Sequence, residues 1–356
     1  MLRTEQKVKN LLRIAAQRGA SDLHLVVGRY PTYRIDGKLY PLAQDTIITP
    51  TATREICEVI LNEEKKKQLE KEGQVDLSYN FEDKVRFRVN AFFQQGFTSV
   101  AFRLIPKEIR TLEELGVPEI LYDFTRFSQG LFLMVGPVGH GKSTTLAAMI
   151  NEINHNQEKH ILTIEDPIEY LYEQDRSIIN QREVYQDTDS FQTALKAVFR
   201  EDANVVLIGE LRDLDTISAA MTAAETGHLI FGTLHTNDAP QTIDRIVDVF
   251  PAHQQNQVRA QLASVLLAVV SQRLIPKVDK GRIPAVEIMI KNHAVENLIR
   301  ENKSYQIGNV IETSSQEGMI TMDRSLADLV RRGLVSLDTA SAYSRDAKNF
   351  ETLLKY

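Results

Sequence analysis

The sequence predicts an α/β protein: a phosphate-binding loop in a mostly parallel sheet, preceded by a small α+β domain. Three observations lead to this prediction. The octapeptide Gly-Pro-Val-Gly-His-Gly-Lys-Ser at 136–143 fits the pattern G-x-x-x-x-G-K-[ST]. Beyond residue 118, short apolar runs alternate with helical stretches, which is typical of strands flanked by helices on both faces. Within the first hundred residues, several segments alternate apolar and polar positions, which indicates strands with one buried face.

The elements of the first domain follow from periodicity and turn signals. They are a helix at 5–18, a hairpin at 30–40, a helix at 52–72, and a meander of strands at 75–81, 85–92 and 98–104. Asp36-Gly37 is a strong two-residue turn signal for the hairpin, and a three-residue turn at 82–84 joins the first two meander strands. The mixed-charge run at 63–67 is interpreted as a solvated helix face.

Four apolar runs predict the strands of the second domain: 131–135, 161–164, 205–208 and 229–234. From residue 258 onward the pattern is helical to the end, with Gly318 and Gly333 as breaks between helices. We therefore divide the chain into an N-terminal domain (1–105), a polar, proline-containing linker (106–118), a core that carries the phosphate-binding loop (119–276) and a helical C-terminal region (277–356).

Composition limits the class of protein. With 43% apolar and 25% charged residues, the chain is typical of a soluble globular protein, and its net charge of −6 argues against nucleic acid as a partner. Cys57 is the only cysteine, so neither a disulfide within the chain nor a cysteine-rich zinc site is expected. A chain without disulfides is compatible with the reducing cytoplasm. We interpret Cys57 as a small buried apolar residue. The longest apolar run, 263–270, is shorter than the roughly 20 residues that span a bilayer. No direct membrane insertion is expected.

The loop predicts ATP and Mg²⁺ as cofactors. Its glycines let backbone N–H groups approach the phosphates, and the following helix start adds a partial positive charge. Lys142 is expected to reach the β- and γ-phosphates, and the Ser143 hydroxyl to hold Mg²⁺. His140 occupies a variable position and is expected to face solvent. The predicted nucleotide-binding residues of this segment are Gly136, Pro137, Val138, Gly139, His140, Gly141, Lys142, Ser143 and Thr144.

Carboxylates follow two of the predicted strands. Because strand ends in a parallel sheet share one edge, Glu165, Glu169 and Glu210 are expected to converge beside the loop. Glu210 is the candidate that holds Mg²⁺ through water or polarises the attacking water. In such enzymes this strand usually has four apolar residues followed by an Asp, so the sequence around Glu210 fits that pattern only in part. Glu169 is a second, water-positioning candidate, aimed by a turn at Pro167. The alternative is a set of surface carboxylates paired with Arg or Lys.

His228 and His235 flank the predicted strand at 229–234. Their odd separation places them on opposite faces of a continuous strand, which disfavours a shared zinc ion. His235, at the strand's end, is either a sensor of the γ-phosphate or a structural histidine.

Three arginines, Arg86, Arg88 and Arg103, lie on the N-terminal meander. They are either exposed ion-pair residues or a charge clamp supplied across a subunit boundary, where an arginine stabilises transition-state charge. The sequence leaves both interpretations open.

From about residue 20 to residue 335, the chain resembles the secretion-superfamily hexameric ATPases and, within them, the PilT-type pilus retraction motors. The resemblance rests on these segments: Ala-Ser-Asp-Leu-His-Leu (20–25), Arg-Phe-Arg-Val-Asn (86–90), the loop (136–143), Thr-Ile-Glu-Asp-Pro-Ile-Glu-Tyr (163–170), Gly-Glu-Leu-Arg-Asp (209–213), Thr-Ala-Ala-Glu-Thr-Gly-His (222–228) and His-Thr (235–236).

The resemblance implies a PAS-like N-terminal domain, a RecA-like core, and a ring-shaped homo-hexamer with ATP at subunit boundaries. It implies a cytoplasmic ring at the inner membrane that engages a platform protein of the pilus machine. The family's acid box falls on 165–169, its Walker B acid on Glu210, and its His box on His228 and His235. Arg88 and Arg103 fall in the stretch whose arginines reach a neighbouring nucleotide.

Two other functions remain open. A pilus-assembly or type II secretion ATPase usually has a longer N-terminal region and a four-cysteine zinc site, which this chain lacks. A nucleotide-binding regulatory paralogue of the retraction motor is disfavoured by the intact acids. One segment departs from the retraction motors: Glu296 stands where they carry Arg in Ala-Ile-Arg-Ser or Ala-Ile-Arg-Asn. Either retraction is weakened, retuned or assigned to a paralogue, or Glu296 is an exposed acid at a helix start without functional cost.

Overall fold

The computed structural model describes residues 2–35, 37–81, 85–105 and 108–355. The chain divides into an N-terminal unit, Met1–Glu108 with Glu169–Leu171, and a core unit, Ile109–Ile168 with Tyr172–Tyr356. Three predicted features lie outside the described residues: Asp36 of the hairpin turn, the meander turn at 82–84, and residues 106–107 of the linker.

Within its described residues, the N-terminal unit forms a six-stranded antiparallel sheet with three helices. In chain order the elements are α1 (Leu2–Gln17), β1 (Asp22–Leu25), β2 (Thr32–Ile35), β3 (Lys38–Pro41), α2 (Pro50–Ile60), α3 (Glu63–Glu72), β4 (Gln74–Phe81), β5 (Val85–Gln94) and β6 (Phe97–Ile105). The strand order is β3-β2-β1-β6-β5-β4, so the predicted hairpin and meander are confirmed. Alternation on β5 buries Phe87, Val89 and Ala91.

The single helix predicted at 52–72 is wrong, because the structure has two helices there. Leu61 is extended, and Asn62 caps α3 by accepting a hydrogen bond from the Lys65 amide at 2.9 Å. An asparagine stabilises a helix start far better than a helix interior, which explains the break. Residues 63–67 are exposed or half-buried, as predicted for a solvated face.

Over its described residues, the core unit forms a seven-stranded sheet in the order β13-β12-β7-β11-β10-β8-β9. In chain order the elements are α4 (Leu112–Leu115), α5 (Ile120–Phe124), β7 (Gly130–Val135), α6 (Lys142–Asn156), β8 (His160–Glu165), β9 (Ile178–Glu183), α7 (Phe191–Val198), β10 (Val205–Ile208), α8 (Leu214–Glu225), β11 (Leu229–Leu234), α9 (Ala239–Asp248), α10 (Gln255–Val265), β12 (Leu266–Pro276), β13 (Arg282–Ile290), α11 (His293–Arg300), α12 (Ile307–Thr313), α13 (Met322–Arg331), α14 (Leu337–Tyr343) and α15 (Ala347–Lys355).

The four predicted core strands are β7, β8, β10 and β11, and they pair in parallel. Leu131, Leu133 and Val135 of β7 belong to one apolar cluster, while Phe132 and Met134 belong to another. Successive side chains of a strand point to opposite faces, so helices cover the sheet on both faces.

The helical pattern predicted from residue 258 to the end is wrong over β12 and β13. The apolar run at 263–270 is divided between the end of α10 and the start of β12. A short apolar run has no periodicity that separates a buried helix from a buried strand, and pairing with β7 decides the outcome. Gly318 and Gly333 have left-handed backbone and lie between helices, as predicted. Among the residues described, none of the helices combines the length and apolar character needed to cross a bilayer.

Cys57 is buried, as its interpretation predicts, and burial raises the pKa of its thiol to about 11. Because the thiolate is the reactive form, native protein at pH 8 should not react stoichiometrically with a disulfide reagent such as DTNB within minutes. One thiol per chain should react in guanidinium chloride. Ser341→Cys, at an exposed position, is the positive control. Rapid stoichiometric labelling of the native wild-type chain would contradict the buried placement.

Candidate nucleotide-binding and hydrolysis site

The predicted phosphate loop joins β7 to α6. Gly136 has φ +138°, and a Cβ there would lie 2.4 Å from the carbonyl oxygen of Gln272, so only glycine fits. Gly141, with φ +80°, is the N-cap of α6, which begins at Lys142. The loop therefore ends in a helix N-terminus, whose free N–H groups and dipole favour a bound phosphate.

The Lys142 ammonium is buried in this loop. Its Nζ donates hydrogen bonds to the carbonyl oxygens of Gly136 at 2.7 Å and Pro137 at 3.0 Å, and lies 3.3 Å from His235 Nδ1. Ser143 and Thr144 follow in the first turn of α6 and are half-buried. This geometry places one cation and the first helical turn together, as phosphate recognition requires.

The parallel register carries three more predicted residues to the same sheet edge. Leu234 pairs with Val135, and Ile208 pairs with Ile164. His235 therefore follows its strand beside the start of the loop, while Glu210 follows β10 and Glu165 ends β8. The predicted convergence on one edge is thus found for Glu165 and Glu210.

Glu210 is held by two cationic or polar neighbours. Its Oε2 accepts a hydrogen bond from Arg212 Nη2 at 2.6 Å and lies 3.3 Å from His235 Nε2. Burial raises the pKa of Glu210, but the hydrogen bond of Arg212 and the charges of His235 and Arg212 outweigh it, so the pKa lies below its ordinary value. Lys142, His235, Glu210 and Arg212 thus form a row of four side chains along the sheet edge, which we call the edge row.

The acid box is divided between the two units. Glu165, at the end of β8, is buried, and its Oε1 accepts a hydrogen bond from the Thr163 hydroxyl at 2.7 Å. The amide of Ile168, after Pro167, donates to Glu183 Oε2 at 3.2 Å, which fixes the turn. Glu169, by contrast, belongs with the N-terminal unit. Its catalytic role stays a prediction.

The other two histidines occupy different surroundings. His228 precedes β11, and its carbonyl accepts from Gly130 at the start of β7, at the end of the strands opposite the loop. Its ring lies 3.0 Å from the Ala223 carbonyl, and the length of β11 separates it from the loop of its own chain, so its nucleotide-binding role stays a prediction. The expectation that His140 faces solvent is wrong: its Nδ1 accepts from the Leu274 amide at 3.0 Å. Burial lowers the pKa of His140, and nearby cations lower it further.

Two predicted arginines of the N-terminal unit lie in ion pairs within that unit. Arg103 Nε donates to Asp22 Oδ1 at 2.8 Å, and Arg88, which faces Arg103 across β5 and β6, lies 3.7 Å from Asp76. Burial raises the pKa of Asp22, but hydrogen bonds from Arg103 and Ser21 bring it below its ordinary value. These pairs support the ion-pair interpretation, and the clamp across a subunit boundary stays a prediction.

The sequence did not reveal three residues that support the site. Gln272 Oε1 accepts from the Thr145 hydroxyl, and its Nε2 donates to the His140 carbonyl, both at 2.9 Å. Arg282 donates to the Gly139 carbonyl at 3.3 Å. Gln272 and Arg282 lie more than a hundred residues after the loop, so no local pattern points to them. Arg212 lies two residues after Glu210 in the segment Gly-Glu-Leu-Arg-Asp (209–213). Because an ionised carboxylate needs a cationic partner, this position was a signal that could have identified it.

A phosphate loop between a parallel strand and a helix, with a glutamate and a histidine at the same edge, defines a P-loop ATPase with a RecA-like core. Residues 3–281 match the model of the Type II/IV secretion system protein family, and the chain belongs to that family. The predicted resemblance, fold class and enzyme class are therefore confirmed.

Individual relatives agree with the family. The chain is 44% identical to the type IV pilus retraction ATPase PilT of Pseudomonas aeruginosa, over 96% of this chain and 99% of that protein. It is 50% identical to a twitching motility protein of Neisseria gonorrhoeae, over 83% of this chain and 78% of the other. A crystal structure of the pilus retraction motor PilT with bound ADP superposes with a TM-score of 0.90 at 45% identity, covering 97% of this chain and 99% of that one.

Gln272→Met should weaken nucleotide binding. The substitution keeps the side chain's length but removes both hydrogen bonds to the loop and its helix, leaving a less ordered loop. We expect ADP to bind roughly 5- to 30-fold more weakly, in keeping with the loss of about 1–2 kcal/mol. Titration calorimetry measures it, with Gln261→Met, whose side-chain amide donates to Glu225 Oε2 at 2.9 Å, as the matched control. Equal ADP affinity in the two variants would contradict a supporting role for Gln272.

Arg212→Ala should change the pH dependence of ATP hydrolysis. The variant loses the hydrogen bond and charge that hold the pKa of Glu210 down, so that pKa rises and the acid limb of kcat moves to higher pH. Activity at pH 6 relative to pH 8 should therefore fall. Arg126→Ala, which removes an exposed arginine paired with Asp123, is the control. An acid limb that stays in place would show that Arg212 does not tune this carboxylate.

Proposed function

We propose that this protein is the ATP-hydrolysing motor of type IV pilus retraction. The observation that carries the proposal is the edge row, which places an ammonium, an imidazole and an ionised glutamate beside a phosphate loop. The near full-length similarity to a pilus retraction ATPase indicates the work to which hydrolysis is coupled.

In this proposal, the loop amides and Lys142 bind the β- and γ-phosphates of ATP. Hydroxyl and carboxylate oxygens are the ligands that Mg²⁺ prefers, so the Ser143 hydroxyl and, through water, Glu210 fit as its holders. Bound Mg²⁺ would neutralise charge on the phosphates. Glu210 polarises the attacking water, Glu165 and Glu169 assist, and His235 responds to the γ-phosphate through its contacts with Lys142 and Glu210.

The proposed working form is a homo-hexameric ring in the cytoplasm, peripheral to the inner membrane. Arg88 and Arg103 would add charge at the nucleotide of a neighbouring subunit, after release from Asp76 and Asp22. Residues 106–118 would serve as the hinge during closure. The ring would act on an inner-membrane platform protein, with or without a paralogous retraction ATPase.

The charge reversal at Glu296 has a local compensation that favours retained function. Glu296 lies in the first turn of α11, where an acidic side chain interacts favourably with the helix dipole. It accepts a hydrogen bond from Arg300 and lies 3.7 Å from His293. Its side chain is only 19% exposed, so the expectation of an exposed acid is wrong, while the expectation of a helix start is confirmed.

Deleting the gene and complementing it tests the proposed function. Cells without this chain should be hyperpiliated and should not twitch, because pili extend but are not withdrawn. Wild-type protein should restore twitching, and Glu210→Gln should not. In purified protein, Glu210→Gln should lower kcat by about 10²-fold or more and keep nucleotide binding. The control is Glu158→Gln, an exposed glutamate paired with Arg176.

The same experiment separates the two rival functions. Loss of pili on deletion would indicate an assembly or secretion ATPase. Absence of turnover by the assembled wild-type ring would indicate a regulatory paralogue that binds nucleotide without hydrolysing it.

A further inference from the structure

The segment between α14 and α15 is held in place by a buried carboxylate. Asp323 of α13 accepts hydrogen bonds from the main-chain amides of Arg345, at 2.8 Å, and Asp346, at 3.0 Å. Asp323 is 5% exposed. Hydrogen bonds to a buried, charged acceptor are among the stronger ones in proteins, so the backbone of Arg345 has a defined position.

From this position, the Arg345 guanidinium joins two distant parts of the core unit. Its Nη1 donates to Glu287 Oε2 of β13, and its Nη2 donates to the main-chain carbonyl of Asn237, both at 2.6 Å. Nη1 also lies 3.7 Å from Asp238, the N-cap of α9. The planar fork of arginine makes these contacts simultaneously, which a lysine ammonium cannot reproduce.

Asn237 lies two residues after His235. Its carbonyl accepts a second hydrogen bond, at 2.6 Å, from the Ser271 hydroxyl. Ser271 of β12 pairs with Val135, the last residue before the phosphate loop, and with Glu287. Arg345 thus completes the support of the main chain that leaves His235.

The His235 ring itself has long contacts with the site. Its two nitrogens lie 3.3 Å from Lys142 Nζ and 3.3 Å from Glu210 Oε2. Contacts of this length do not fix a ring by themselves, so its orientation depends on the backbone that carries it. A small displacement at Asn237 would therefore change the edge row.

We propose that Arg345 is a positioning residue for ATP hydrolysis, which fixes the main chain at Asn237 and thereby the ring of His235. The inference rests on the proposed function, in which His235 takes part in hydrolysis. It makes the segment between α14 and α15 part of the support of the catalytic edge. Movement of that segment would change turnover without any contact between it and the nucleotide.

The choice of variant follows from the charges around Arg345. Glu287, Asp238 and Asp323 all face this guanidinium or its main chain. Burial raises the pKa of Glu287 to about 7, because the loss of water outweighs the attraction of Arg345. A neutral substitution would leave Glu287 and Asp238 without their cation, so a loss of activity would not be separable from a loss of folding. Arg345→Lys keeps the charge and removes only the fork.

Steady-state ATPase kinetics of the full-length assembled protein test the inference. Arg345→Lys should lower kcat by about 5- to 10-fold and change KM for ATP by less than about 2-fold, because only the orientation of His235 changes. In a His235→Ala background, Arg345→Lys should lower kcat no further, since the two residues act as one unit. Arg332→Lys, on an exposed arginine paired with Asp328 at 3.6 Å, is the matched control. Melting temperatures are recorded for every variant.

Three outcomes would overturn the inference. One is an unchanged kcat in Arg345→Lys while His235→Ala is impaired. Another is an equal loss of kcat from Arg345→Lys with and without His235, which would show a general structural role. Normal turnover by the single variant His235→Ala would instead remove His235 from the proposed hydrolysis mechanism. This variant leaves Arg345 unchanged, so it separates a failure of the proposed mechanism from a failure of the role of Arg345.

Discussion

The parallel register of β7, β11, β10 and β8 is the constraint on which the candidate site depends. It sets His235 beside the start of the phosphate loop and brings Glu210 and Glu165 to the next positions along one edge. A slip of one residue would turn every side chain of a strand to the opposite face. The strands are buried and apolar on both faces, so what prevents such a slip is the fit of each strand to its neighbours and helices rather than a simple alternation of apolar and polar residues.

Electrostatics determine the ionisation state of the predicted site residues at this sheet edge. Glu210 is partly buried, and burial alone would favour its neutral form. Arg212 and His235 reverse that preference and hold the carboxylate in the ionised form that Mg²⁺ or an attacking water requires. Lys142 stays inside the loop through two carbonyl oxygens. The contacts of the edge row are all made within one chain, and groups preorganised in this way cost little reorganisation during a reaction.

The sequence predicted the parts of the molecule that depend on local pattern. The phosphate loop, the four central strands and the antiparallel meander each have a signature within about ten residues. The pairing of β12 with β7 depends on contacts across more than a hundred residues, so an apolar run that reads equally as helix was assigned wrongly. The support from Gln272, Arg282 and Arg345 was missed for the same reason. For His228 the motif and the strand point differently: the motif groups it with the site, while within its own chain β11 separates it from the loop, and its role stays a prediction.

The distribution of these supports along the chain explains why the C-terminal helices matter to a site built on the central strands. The loop lies against β12, β12 pairs with β13, and β13 carries the buried Glu287 that Arg345 contacts. Each step is a hydrogen bond or a close-packed contact. A displacement at one end of this series is therefore transmitted towards the other end rather than absorbed by loosely packed segments. Glu296 stands outside this route. Its charge is balanced on its own helix by Arg300, so we expect the reversal to leave the support of the proposed catalytic edge unchanged.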